Sequence, residues 1–231
     1  MRNDFEKLLI IAAHPDDEVL GCGGLISLLN QKDYQVRIVF LAEGSSVRFE
    51  EDGFESEIID AIKKREYCAL SALKKLGVNK ENIHFSMRKC CKLDTYPILE
   101  LTKEIENHIA EFKPTCLITH NQYDANIDHR KCYEASLPAL RPVKKNSISL
   151  AMSFEIISST EWNYHNPFSA NYFIDISDVI EDKIKACLEY HGEIHKSNHS
   201  RSIDTIKTLA AYRGQQAGYS YAEAFNLIFK R

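Results

Sequence analysis

The sequence has no surplus of positive charge, no paired-cysteine spacing, no long apolar run and no internal repeat, and each absence removes a class of protein. Acidic residues outnumber basic ones, 33 to 29, for a net charge of −4. No long Lys/Arg block appears, so no nucleic-acid partner is expected. Seven cysteines form an odd set without Cys-x-x-Cys, which argues against a disulfide framework and a zinc knuckle; they read as reduced, mostly buried thiols. No stretch approaches the roughly 18 apolar residues of a membrane span. Met1 to Lys7 lacks the apolar core and cleavage site of a signal peptide. The expectation is a cytoplasmic protein with a small-molecule partner. Linkers and low-complexity tracts are missing too, so 231 residues that are 44% hydrophobic read as one domain over 1–231. The composition leaves a homo-oligomer open.

What is present is an alternation of short apolar runs with helical periodicity. Leu8 to Ala13 is continuously apolar, as in a parallel strand covered on both faces. Helical spacing follows from Val19 to Leu29, then a strand at Val36 to Leu41 and a polar loop from Ala42 to Gly53. A helix over about 55–76 ends at Gly77, placed for a left-handed cap. Strands are expected at Ile83–Ser86, Thr115–Thr119, Ser149–Ile156 and Tyr172–Asp175, the last of the chain, with helices at Ile98–Phe112 and about 128–140. Two or three helices follow Ile176. This order predicts a Rossmann-like α/β three-layer sandwich: a mostly parallel sheet with helices on both faces and functional loops beyond the carboxyl ends of the strands.

The first such loop holds Ala12-Ala13-His14-Pro15-Asp16-Asp17-Glu18. Carboxylates are common in the first turn of a helix, but His14 and Pro15 in front of them favour a site. A loop entering a helix can turn residues i and i+3 to one point, making His14 and Asp17 candidate metal ligands. One imidazole and one carboxylate suit zinc or ferrous iron better than calcium. A catalytic site of this kind needs about three protein ligands and an open position. The remaining ligand is expected from the segment His120 to Arg130, which also follows an apolar strand and opens into the same crevice if the two strands are neighbours.

Ala13-His14-Pro15-Asp16-Asp17-Glu18 together with Asn126-Ile127-Asp128-His129-Arg130 resembles the PIG-L (LmbE-like) N-deacetylases, metal-dependent hydrolases that remove acyl groups from N-acetylated sugars. The likeness extends to Arg65-Glu66 before Leu76-Gly77 and to Tyr221-Ala222-Glu223-Ala224-Phe225. The resemblance implies one divalent metal per chain, zinc first and ferrous iron second, held by His14, Asp17 and His129. It implies Asp16 as general base for attack of a metal-bound water on the amide carbonyl. Asp128 becomes a carboxylate behind the ligands or a proton relay, and Arg65 an arginine facing the substrate, an N-acetyl amino sugar or its nucleotide-, lipid- or glycoside-linked conjugate.

The chain departs from the pattern at Asn126, where many relatives carry a histidine with an acid or oxyanion-stabilising role. Asn126 can donate a hydrogen bond but not deliver a proton, so that proton would come from Asp16 or a group such as His165. Asp94 is the acid available for the substrate near Arg88 to Asp94. Trp162 divides evenly between a loop anchor and a sugar-stacking wall. Gly21, Gly23 and Gly24 read as close helix packing, because a phosphate loop needs its glycines directly after the strand. Cys90-Cys91 reads as inert. His120, His165, His191, His195 and His199 read as surface or loop residues. Rival functions are a metallo-hydrolase of another ester or amide class, such as a two-metal phosphoesterase, and a metal- or sugar-binding domain without activity.

Overall fold

The computed structural model describes residues 4–32, 34–49, 55–142 and 147–231; positions 50–53 of the expected polar loop lie outside them. The chain runs β1 (Lys7–Ala12), α1 (Asp17–Asn30), β2 (Gln35–Phe40), α2 (Glu55–Lys75), β3 (Ile83–Phe85), α3 (Ile98–Phe112), β4 (Cys116–His120), α4 (Ile127–Ala139), β5 (Leu150–Phe154), β6 (Tyr172–Asp175), α5 (Ile180–Cys187), α6 (Ile203–Ala217) and β7 (Ala222–Lys230). The sheet has seven strands in the order β3-β2-β1-β4-β5-β7-β6. β1 to β5 are mutually parallel, and β7 pairs antiparallel with both β5 and β6. Among the described residues no helix is long and apolar enough to cross a membrane.

β1 shows why its apolar run is unbroken. Leu8, Ile10 and Ala12 join a core with α1, α2, α5 and α6, whereas Leu9, Ile11 and Ala13 join a second core with α3 and α4. Alternate side chains point to opposite faces, and both faces are covered. The chain crosses to the far side of β1 between β3 and β4, which places a topological switch point, and hence a crevice, at the carboxyl ends of β1 and β4.

The expected strand and helix order holds up to Tyr172–Asp175, which is not the last strand. β7 follows α6 and inserts between β5 and β6. Its inward faces are only partly apolar, with Glu223 buried and Asn226 half-buried, so neither strict alternation nor a continuous apolar run marks it.

The glycines of α1 act by close approach. A Cβ on Gly21 would lie 2.7 Å from the Phe154 ring, and one on Gly24 would lie 2.7 Å from Ile176 Cγ2. Gly24→Ala should therefore lower stability by about 1–3 kcal/mol, the cost of overpacking, seen as a lower urea midpoint with an unchanged m-value. Gly77 ends the turn after α2 at φ 82°, where a Cβ would also strike the Asn30 side chain.

α1 is interrupted at Cys22, whose φ/ψ of −148°/27° is not helical. The break frees backbone groups inside a buried helix, and a buried ion pair takes them. Glu223 accepts from the N–H groups of Gly24 and Leu25, each at 2.8 Å. Lys183 Nζ donates to the Leu20 carbonyl at 2.9 Å and to Glu223 at 2.7 Å. The α5 lysine and the β7 glutamate thus replace the hydrogen bonds that the kink removes.

Candidate metal centre

The loop from Ala13 to Asp16 leaves β1 at the switch point and folds back on itself. The His14 N–H donates to Asp17 Oδ2 at 2.8 Å, and the Asp17 N–H to the His14 carbonyl at 3.2 Å. Asp16 sits at φ 125°, a conformation that costs a non-glycine residue about 1–3 kcal/mol and persists only where its surroundings impose it. The peptide joining Pro15 to Asp16 is clamped at both ends: Arg65 Nε donates to the Pro15 carbonyl at 2.8 Å, and the Asp16 N–H donates to Glu18 Oε2 at 2.9 Å. Glu18, which carries no role in the sequence reading, is fully buried and accepts a further bond from the Tyr190 hydroxyl. Burial pushes its carboxyl up to about 8, against the Tyr190 and Asp16 hydrogen bonds.

His14, Asp17 and His129 come together. His14 Nδ1 lies 3.5 Å and His129 Nε2 3.4 Å from the same Asp17 Oδ2. One ligand atom from each of the three lies within 4.8 Å of the others, and all three residues are buried. Each imidazole has its own carboxylate behind it. Asp128 Oδ2 bonds His14 Nε2 at 2.8 Å, and Asp124 Oδ1 faces His129 Nδ1 at 3.1 Å. Asp128 is fixed by the N–H groups of Cys91 and Leu93 at 2.6 and 2.9 Å, Asp124 by the Ser159 and Thr160 hydroxyls. A carboxylate behind a ligating histidine sets its tautomer and ring angle. Nothing but its place in the loop after β4 marks Asp124 in the sequence.

The electrostatics favour a cation. Burial alone lowers an imidazole, yet Asp128 and Asp17 outweigh it and hold His14 up at about 9. Asp17 and Asp124 do the same for His129, at about 10. Burial pushes Asp17 up, but His129 and His120 bring it well below the usual carboxylate range. Asp17 Oδ1 is buried and has no hydrogen-bond partner among the described residues. Carboxylates that hold protons on two histidines, together with an orphaned carboxylate oxygen, are what the protein side of a divalent-cation site presents. Two imidazoles and one carboxylate fit zinc or ferrous iron.

His120 is not a surface residue: it ends β4 fully buried. Its Nε2 accepts the Ala13 N–H at 2.8 Å, and its ring stacks on His129 with centroids 3.9 Å apart. Burial and the neighbouring His129 keep it well below the ordinary histidine range. With Nε2 occupied as an acceptor, His120 supports the site from beneath. Cys90 is likewise at the site, its Sγ 3.4 Å from His14 Nε2.

Asp16 lies beside the cluster at the centre of an arginine network. Its Oδ2 accepts from Arg65 Nη2 at 2.9 Å and from Arg201 Nη1 at 2.6 Å, while its buried Oδ1 has no partner among the described residues. Burial raises this carboxyl, against the pull of Arg201 and Arg65. Glu193 joins Arg48, Arg65 and Arg201 from the other side. Arg65 is buried, with Nε, Nη1 and Nη2 all bonded inside the protein. Neither Arg201 nor Glu193 carries a motif signal.

Asn126 caps α4 through its Oδ1, which accepts the Asp128 N–H at 2.8 Å. Asp94 is exposed on the turn Leu93–Thr95, next to the Leu93 N–H that holds Asp128. Trp162 is 59% exposed on the turn Thr160–Trp162, whose Thr160 holds Asp124. His165 is exposed in the segment beyond it.

A Rossmann-like sheet with a histidine–aspartate–histidine cluster at its switch point defines this as an α/β protein with a candidate metal centre at the carboxyl ends of its strands. A model of the PIG-L family, described as GlcNAc-PI de-N-acetylase, matches residues 9–140, and the chain belongs to that family. A diacetylchitobiose deacetylase of Thermococcus kodakarensis is 28% identical over 235 residues, covering 98% of this chain and 84% of its own length. The N,N'-diacetylchitobiose deacetylase of Pyrococcus horikoshii superposes with a TM-score of 0.78 at 20% identity, over 98% of this chain and 86% of its own. GalB, the 4-carboxy-2-hydroxymuconate hydratase of Pseudomonas putida, superposes with a TM-score of 0.72 at 21% identity, over 97% of each chain. Structural likeness at this identity shows the fold alone, and a hydratase on the same fold means that the chemistry must be argued from the site.

Proposed function

We propose that the protein is a metal-dependent N-deacetylase of an N-acetylated amino sugar or its conjugate. The observation that carries this reading is the convergence of His14 Nδ1 and His129 Nε2 on Asp17 Oδ2, each ring backed by its own carboxylate. His14, Asp17 and His129 would hold one divalent ion, zinc in the first place and ferrous iron in the second. Such an ion supplies Lewis acidity, polarising an amide carbonyl and lowering the pKa of water towards 7.

The remaining work falls to side chains of this chain. Arg65 and Arg201 occupy Asp16 Oδ2 and leave Oδ1 unpartnered. Oδ1 then takes the proton of the water that attacks the acetyl carbon. As the C–N bond breaks, Asp16 returns that proton to the leaving amine, and acetate and free amine result. A single carboxyl serving as base and then acid removes the need for a histidine at Asn126, whose Oδ1 is spent as a helix cap. Burial, which raises Asp16, favours that double use. Arg65 acts in this scheme through Asp16, and Asn126, Asp94 and Trp162 are the residues assigned to the sugar, the last two being exposed. The PIG-L family match and the named deacetylases among the relatives support the amide as the bond broken.

Acetate release from a panel of N-acetyl amino sugars, including diacetylchitobiose, tests the reading. Turnover should vanish with chelator and return with one equivalent of zinc; a fully metal-loaded protein that turns over no member of the panel would favour a binding domain. Asp124→Asn should weaken metal binding by about 10- to 100-fold through the His129 ring it orients, as measured by competition with a chromogenic chelator.

A further inference from the structure

Cys90 touches His14 but takes no part in the proposed reaction. Its Sγ lies 3.4 Å from His14 Nε2, the nitrogen that also faces Asp128 Oδ2 at 2.8 Å. One donor atom each from His14, Cys90 and Asp128 lies within 4.8 Å of the others, and all three residues are buried. Backbone bonds hold this arrangement. The Cys90 N–H donates to Glu43 at 2.7 Å, and the Cys91 and Leu93 N–H groups donate to the two oxygens of Asp128. Cys91 takes φ 57°, the turn that sets its own N–H against Asp128 while Cys90 faces His14.

A thiol, an imidazole and a carboxylate in one pocket form a different donor set from His14, Asp17 and His129. Thiolate selects soft and borderline ions. We propose that Cys90, His14 and Asp128 form a second ion site, for thiophilic divalent cations such as Cd2+, that competes with the first site for the His14 ring. A neutral imidazole has one N–H and one lone pair. With Nε2–H given to Asp128, the lone pair sits on Nδ1 and faces Asp17. An ion on Cys90 needs the lone pair on Nε2, so the ring proton moves to Nδ1 and that nitrogen ceases to be a ligand. Binding releases the Cys90 thiol proton and, where the ring starts doubly protonated, the His14 Nε2 proton to solvent, forms metal–sulfur, metal–nitrogen and metal–oxygen bonds, and changes no oxidation state. The competition rests on the proposed role of His14; the binding does not.

The test is a Cd2+ titration of the metal-free protein, read by the ultraviolet thiolate-to-cadmium charge-transfer band. The band should saturate in wild type, survive in Cys91→Ser and disappear in Cys90→Ser and Cys90→Ala, with Cd2+ affinity reduced at least about tenfold. No band in wild type, a band that survives Cys90→Ser, or one lost in Cys91→Ser would overturn the site. With zinc-loaded protein, Cd2+ should inhibit acetate release, added zinc should relieve it, and Cys90→Ser should raise the half-inhibitory concentration by at least about tenfold. Equal inhibition of wild type and Cys90→Ser overturns the competition. A Cys90-dependent band in a protein inert towards every N-acetyl sugar would defeat the deacetylase reading and leave the ion site standing.

Discussion

Asp16→Asn should lower turnover by about 10²- to 10⁴-fold, the range contributed by a positioned general acid–base group, while metal content stays unchanged. The amide keeps the shape of the carboxylate but cannot take a proton at Oδ1, the one oxygen that Arg65 and Arg201 leave free. The proposed ligands are His14, Asp17 and His129, so metal measured per chain should match wild type. Arg65 and Arg201 retain Glu193 as a partner, which limits the damage to the fold. The loss should appear in kcat more than in KM, because the interaction is realised in the transition state. An Asp16→Asn protein with wild-type turnover would remove Asp16 from the mechanism.

Glu223→Ala should have the largest effect on stability, a loss of about 3–5 kcal/mol, because it leaves Lys183 as an unpaired buried charge. Lys183 and Glu223 are both nearly inaccessible, and burial lowers the lysine while Glu223 raises it above its ordinary value. The substitution also strips the Gly24 and Leu25 N–H groups of their acceptors at the kink of α1, and buried unsatisfied donors cost about 1–3 kcal/mol each. Adding Lys183→Met in the Glu223→Ala background should recover at most the charge component, since the orphaned N–H groups remain and the Leu20 carbonyl loses its Lys183 donor. A double-mutant cycle in urea separates the two contributions. Full recovery in the double variant would show that the kinked backbone finds other partners.

The legible part of the fold rests on β1 and its successors. An unbroken Leu8-to-Ala13 run can be buried on both faces only in a parallel sheet with helices on each side. β7 escaped because Glu223 interrupts its pattern, and that residue is buried there for the sake of α1, a helix far away in sequence. The same division holds at the site. His14, Asp16 and Asp17 are adjacent in the chain and stand out as chemistry, and Asp128-His129 follows at a second strand end. Nothing local marks Arg201, which reaches Asp16 across 185 positions, or Cys90, which reads as inert until the loop before α3 sets it against His14.

The sequence by itself determined the alternating α/β layers and the two histidine–aspartate segments at strand ends, because periodicity and short motifs are local properties of a chain. Only the tertiary structure decided that Asp128 backs His14 while Asp124 backs His129, that two arginines share one oxygen of Asp16, and that Glu18 and Arg65 clamp the peptide before it. Those pairings follow from β1 and β4 lying side by side with loops opening into one crevice, and the order of strands in a sheet is set by which faces pack together rather than by any stretch of sequence alone.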